Sequence, residues 1–149
     1  MIALATDAYN AYVNATGAVT DTVTKLLSVT HAQFQQMGDL TVTVSGVCIH
    51  IFMWNHAHQC LFNQVNFTIN RDAQVIPRDT NPSLKGGSYD KLYLVITDLK
   101  SDKWGCTLGL PFFIRYKIQF DYANNLVRLA TTPYTNATIN TISLLQVPN

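Results

Sequence analysis

Thr107-Leu-Gly-Leu-Pro-Phe-Phe-Ile-Arg-Tyr-Lys-Ile-Gln-Phe-Asp-Tyr-Ala-Asn-Asn-Leu-Val-Arg-Leu-Ala130 carries the pattern from which the fold is read. It reads as a glycine turn, one helical turn opened by Pro111, and a β-hairpin. Proline suits a first helical position, where its missing N–H would have had no partner. Tyr116, Ile118 and Phe120 alternate with Lys117, Gln119 and Asp121, the period of a half-buried strand, and this phase predicts Tyr116 and Phe120 as core. Asn124-Asn125 can supply the positive φ angles of a tight turn, and residues 126–130 form the return strand. Asp121 is expected to support the turn.

Outward from this stretch the chain reads as one domain: 149 residues can bury a real core. Only 13% of residues are charged against 48% hydrophobic, which suits a secreted β-protein better than a cytosolic one. The net charge of +1 gives no electrostatic case for nucleic acid or an acidic membrane surface. No apolar run approaches the length of a membrane-spanning helix. Met1-Ile-Ala-Leu-Ala5, followed by Asp7, is too short for a signal peptide, so a secreted protein would have its true N-terminus elsewhere.

Residues 5–15 predict a short helix capped by Thr6 or Asp7, with Tyr9, Tyr12 and Val13 as its apolar stripe and Gly17 as its stop. Strands are expected over residues 26–30, 40–44, 65–69 and 92–97, with a polar turn or short helix at 31–37. Residues 72–85 are loop-rich, Gly86-Gly87 makes a turn, and 98–105 is a polar loop. The tail, residues 131–149, is polar and then mildly apolar (Ile142, Leu144, Leu145) and has no assignment. Three sequons, at Asn14, Asn66 and Asn136, point to a secretory history and are candidate glycosylation sites.

The segment from Val47 to Gln64 breaks the pattern. It holds His50, His56, His58, Cys48, Cys60 and Trp54, with no charge and no clear period. Cys48-x-His50 and His56-x-His58-x-Cys60 have zinc-ligand chemistry, but the spacing is no standard finger or ribbon, and no metal or other cofactor is expected. Cys48, Cys60 and Cys106 leave at least one thiol unpaired and define no disulfide framework. Deleting these 18 residues leaves two alternating strands around Ser45-Gly46, a hairpin. Valine codons begin GT and glutamine can be CAG, so the segment's ends permit splice signals in frame, and it reads as a translated intron. Cys106 reads as a buried small hydrophobe, His31 as a surface side chain, and Trp104 as packing under its loop.

Taken together, these segments resemble the second lobe of the pepsin-like aspartic proteases, in particular the fungal, polyporopepsin-type group. Residues 107–130 match the closing segment of that lobe. Asp7-Ala-Tyr-Asn-Ala-Tyr-Val-Asn-Ala-Thr-Gly-Ala18, Asp21 and Leu26-Leu-Ser-Val29 match the part that follows the second catalytic Asp-Thr-Gly. Asp72-Ala-Gln-Val-Ile-Pro-Arg78, Asn81-Pro-Ser-Leu84 and Tyr93-Leu-Val-Ile-Thr-Asp-Leu99 match its downstream strand and loop. The resemblance implies a mainly β fold with two short helices, a partial second lobe over residues 1–130 with an anomalous insert at 47–64.

It also implies an aspartic endopeptidase that hydrolyses peptide bonds of a protein substrate with an activated water, paired with an N-terminal lobe, and secreted or vacuolar. Two features depart from the family. None of the nine aspartates begins an Asp-Thr-Gly or Asp-Ser-Gly triplet, so no catalytic residue is assigned in this chain and the second catalytic Asp is expected before Met1. The family's loop has two hydrophobic residues before its glycine, whereas Thr107-Leu108-Gly109 has one. The resemblance makes Thr107 and Leu108 candidate substrate contacts and Gly109 a structural loop residue. A non-catalytic β module that binds a peptide or partner, and a secreted carbohydrate-binding β-sandwich, are the competing readings.

Overall fold

The computed structural model of the chain describes residues 1–49, 61–77, 84, 87–102, 105–124 and 126–138. His50, Trp54, His56, His58, Cys60, Pro82, Gly86, Trp104, Asn125 and the apolar end of the tail lie outside the described residues, and with them the zinc-like cluster.

The first strand organises the rest. β1 (Ile2–Leu4) lies between β7 (Ile96–Asp98), to which it runs parallel, and β8 (Cys106–Thr107), to which it runs antiparallel. Ile2 and Leu4 are buried on either side of half-buried Ala3. Contacts beyond the ladder tie both ends of β1. The Ile2 N–H donates to the Val95 carbonyl at 2.7 Å, Leu99 N–H to the Leu4 carbonyl at 2.7 Å, and Ala5 N–H to the Gly105 carbonyl at 3.1 Å.

α1 (Thr6–Thr16) follows directly. Its stripe of Tyr9, Tyr12 and Val13 packs on the core, and Gly17 ends it in the left-handed region at φ 64°. The cap differs from expectation. The N-cap is Ala5, with no side-chain cap, and the acceptors come from Asp98 at the end of β7 and Asp102 in the loop after it. Thr6 Oγ1 donates to Asp98 Oδ1 at 2.9 Å, and Asp7 N–H donates to Asp102 Oδ1 at 3.3 Å. The turn between β2 (Val19–Thr20) and β3 (Leu27–Val29) is built on Asp21. Its carboxylate accepts from the Val23 and Thr24 N–H groups and the Thr24 hydroxyl, and ion-pairs with Lys91 at 2.5 Å. The Lys91 ammonium, then the Thr24 N–H, hold this carboxyl well below the usual carboxylate range. β3 pairs with β6 (Leu92–Tyr93), and the stretch Leu92, Tyr93, Leu94, Val95 and Ile96 is buried throughout, as its apolar run predicts.

Residues 31–37 resolve into a helix, α2 (His31–Gln36), because Thr30 and Gln33 form a capping box. Its neighbourhood is fixed by Gln74, which is fully buried in a short 3₁₀ turn, Arg71–Gln74. The Gln74 amide nitrogen donates to the Gly38 and Ile69 carbonyls, both at 3.0 Å, and its oxygen accepts from the Tyr12 hydroxyl at 2.8 Å. Each hydrogen-bonding group of the amide is met, which is what a buried amide requires.

β4 (Leu40–Ile49) and β5 (Leu61–Ile69) form a hairpin. Val42, Phe67 and Ile69 face the core, while Thr41, Thr43, Asn66 and Thr68 face out. The register is unbroken from Leu40 opposite Ile69 to Val44 opposite Val65. It then shifts, and the hairpin continues with Val47 opposite Asn63.

α3 (Leu110–Arg115) leads into β9 (Tyr116–Asp121), which pairs with β10 (Leu126–Thr131) as a separate two-stranded ribbon. Phe67, Phe112 and Tyr116 form one aromatic cluster, with Phe112 stacked on Tyr116 at 4.7 Å and Phe67 edge-on to both. The Tyr116 hydroxyl donates to the Thr68 carbonyl at 2.7 Å. Two expectations for the ribbon are corrected. Phe120 is 59% exposed, because the ribbon runs off the core beyond half-buried Ile118 and Leu129. The connection spans four residues rather than a tight Asn-Asn pair, and Asn124 does not adopt positive φ. Asp121 holds it, accepting from Asn124 N–H and side chain and from Arg128 at 2.6 Å.

The hairpin register generates a prediction for residues 47–64. Without them, Val44 would still oppose Val65, and Ser45-Gly46 would close the hairpin as a two-residue loop. A variant lacking these 18 residues is expected to unfold in urea with a midpoint at or above that of the full chain. Loss of a cooperative transition in the variant would show that the segment is integral to the fold.

Candidate functional site

The residues singled out by sequence meet where β1 begins. β8 carries Thr107, exposed, and Leu108 follows, half-buried against the core. Gly109 is the N-cap of α3, its carbonyl accepting from Phe112 N–H at 2.9 Å and Phe113 N–H at 3.3 Å. Pro111 sits in the first turn of the helix, where no N–H is missed. Gly109 has an ordinary extended backbone (φ −111°), so its role is not a left-handed turn. A Cβ placed there would lie 2.3 Å from the Met1 carbonyl oxygen, so glycine is needed for two backbones to approach each other. Around this contact Met1, Leu110 and Phe113 are exposed, an apolar rim beside the hydroxyl of Thr107.

The chemistry available at this junction is limited. Asp98 and Asp102 lie beside the other end of β1, opposite or beyond Leu4, and their carboxylates serve Thr6, Lys100 and the start of α1. Asp21 and Asp121 hold turns, and both are pushed down by their partners, Lys91 for the first and Asn124 with Arg128 for the second. Cys106, next to Thr107, is half-buried, and burial pushes its thiol up, away from the thiolate that a nucleophile needs. His31 is exposed on α2 and lies against Phe34. Among the described residues no group of three or more His, Cys, Asp or Glu could hold a metal ion, and no helix is long and apolar enough to cross a membrane. Asn14, Asn66 and Asn136 are all exposed, Asn66 accepting from Thr43 Oγ1 at 2.8 Å.

The junction therefore offers a floor of closely approaching backbone and an apolar rim, with Thr107, Leu108 and Gly109 consecutive on it. The sequence reading did not identify Met1 as the partner of Gly109. That signal was available only in part, since a glycine before a helix-opening Leu-Pro also fits a simple turn.

Gly109→Ala is expected to destabilise the chain by about 1–3 kcal/mol, because the new methyl meets backbone rather than a side chain that can turn away. Urea unfolding checks this, and an unchanged midpoint would mean that the close contact with Met1 is not maintained in solution.

No family model matches the chain. Over 140 residues, 92% of its length, it is 35% identical to polyporopepsin of Irpex lacteus. It superposes on the crystal structure of the aspartic proteinase from Irpex lacteus with a TM-score of 0.73 and 31% identity over 93% of the chain. In both cases the chain spans 36% of the relative's length. The fold is that of a lobe of the pepsin-like aspartic proteinases.

Proposed function

We propose that this chain, which belongs to the pepsin-like aspartic protease family, forms the supporting part of the C-terminal lobe of an acid endopeptidase. The two carboxylates of the reaction would come from polypeptide outside these 149 residues. In such an enzyme a water is activated between two aspartates. Two negative charges so close cannot both persist, so one carboxyl keeps a proton while the other acts as base. This chain has no Asp-Thr/Ser-Gly triplet, and its turn aspartates Asp21 and Asp121 are engaged in holding structure.

The observation that carries the reading is the junction of Met1 with Gly109. The strand that the family resemblance places directly after the catalytic Asp-Thr-Gly is β1. It enters the sheet at a floor of close-packed backbone edged by Thr107, Leu110 and Phe113. An aspartate a few residues before Met1 would stand on that floor. Thr107 and Leu108 would then contact an extended peptide substrate, with Gly109 structural.

The N-terminal lobe would cover apolar surface that this chain leaves open. Phe120 and Val127 face each other across the β9–β10 ribbon, 59% and 56% exposed, on the face that starts in the core at Tyr116. A non-catalytic partner-binding module is favoured by the same ribbon, since its apolar face needs no aspartates. The exposed sequons at Asn14, Asn66 and Asn136 support passage through the secretory pathway and glycosylation there.

Sequencing the spliced transcript upstream of the Met1 codon separates the two. The protease reading expects an in-frame Asp-Thr-Gly or Asp-Ser-Gly within a few codons. An upstream in-frame stop, or an open frame without that triplet, would favour the binding module.

A further inference from the structure

The sequence reading gave no role to the polypeptide after β10, and the structure shows where its first part goes. Residues 132–138 fold back on Arg115, the last residue of α3, a residue only 2% exposed. The guanidinium donates to the Tyr134 carbonyl at 2.8 Å and to the Ala137 carbonyl. In the other direction, the Arg115 carbonyl accepts from the Thr132 hydroxyl at 2.9 Å and the Thr135 hydroxyl at 2.5 Å. The returning segment is internally braced. Thr132 N–H donates to Thr135 Oγ1 at 2.8 Å, Tyr134 N–H to Thr132 Oγ1 at 3.1 Å, and Ala137 N–H to the Tyr134 carbonyl at 3.1 Å. The Ala137 carbonyl also accepts from Asn70 Nδ2 at 3.0 Å, which ties the segment to the turn before Gln74.

This arrangement answers a specific physical problem. A helix leaves its last carbonyls without internal partners, and Arg115 ends α3 just where β9 begins. A six-residue helix has little stability of its own. A buried guanidinium, in turn, must be met by acceptors. Burial pushes the Arg115 guanidinium down, and Asp72 opposes this at longer range. The hydrogen-bond acceptors at Arg115 among the described residues are backbone carbonyls of the returning segment.

We propose that residues 132–138 are a strap that locks α3 in place through a two-way clamp on Arg115, and so hold the Gly109 turn against β1. The strap is part of the lobe, and the lobe's boundary falls after it rather than at Ala130. Phe112, fully buried, and Gly109, pressed on Met1, are the features of α3 that the strap keeps in register.

Hydrogen exchange on the full chain tests this, with Arg115→Met removing the donors and Thr135→Val removing one hydroxyl at nearly constant volume. In both variants the amides of Phe112, Phe113 and Ala137 are expected to exchange about tenfold faster, while those of Val42 and Phe67 keep their rates. A residue that merely added to overall stability would accelerate all of these amides alike. Unchanged exchange of Phe112 and Phe113 in Thr135→Val, or acceleration spread evenly over β4 and β5, would overturn the strap. If Arg115→Met does not fold, Thr135→Val alone decides by the same two criteria.

Discussion

Ile2–Leu4 can occupy its place only because strands on both sides supply its hydrogen bonds, one running with it and one against it. A three-residue strand has no stability alone, and its neighbours come from the second half of the chain. Closing that contact therefore joins the beginning of the polypeptide to residues some ninety positions later (Ile2 opposite Ile96). The other central features depend on it. Asp98 at the end of β7 and Asp102 in the loop after it can reach the start of α1 because β7 lies beside β1. Gly109 can face Met1 because β8 brings the chain to the opposite edge.

The core is completed by side chains that tie elements across this sheet. Phe112 and Tyr116 bring α3 and β9 onto Phe67 of β5, an aromatic cluster in which each buried ring contributes on the order of 1.5–3 kcal/mol. Two polar residues do work that apolar packing cannot. Gln74 ties α1, the segment after α2 and β5 through one amide, and Arg115 ties α3 to the polypeptide after β10. Both are buried, and both sit at junctions where backbone carbonyls would otherwise lose water without gaining a partner.

What the sequence made legible followed from local signals. The alternation in residues 40–44 and 65–69 and the Gly17 stop each reflect one periodicity or one backbone preference, and each maps onto the observed element, whereas the apolar run at 92–97, expected as one strand, is buried as far as Ile96 but divides into β6 and β7, which join different sheets. The misses share a different cause. Phe120 follows the same alternation as Tyr116, but periodicity says which face a residue takes and not how far the core extends along it. The cap of α1 was assigned to its own residues because the carboxylates that serve it lie more than ninety positions away. The clamp on Arg115 was invisible for the same reason, since backbone carbonyls carry no sequence signature. Of the candidate site, Thr107, Leu108 and Gly109 were found through family resemblance. Their contact with the chain start was visible only in three dimensions.

The account rests on a division between scaffold and chemistry: this chain holds the lobe's sheet, helices and loop, and no aspartate in the triplet that the reaction uses. The most direct measurement is a proteolysis assay of the purified 149-residue chain on an unfolded protein at acid pH, with and without pepstatin. The account predicts no cleavage above background under either condition. Cleavage that pepstatin abolishes would contradict it, because a working pair of carboxylates would then have to exist among residues assigned here to turns and caps.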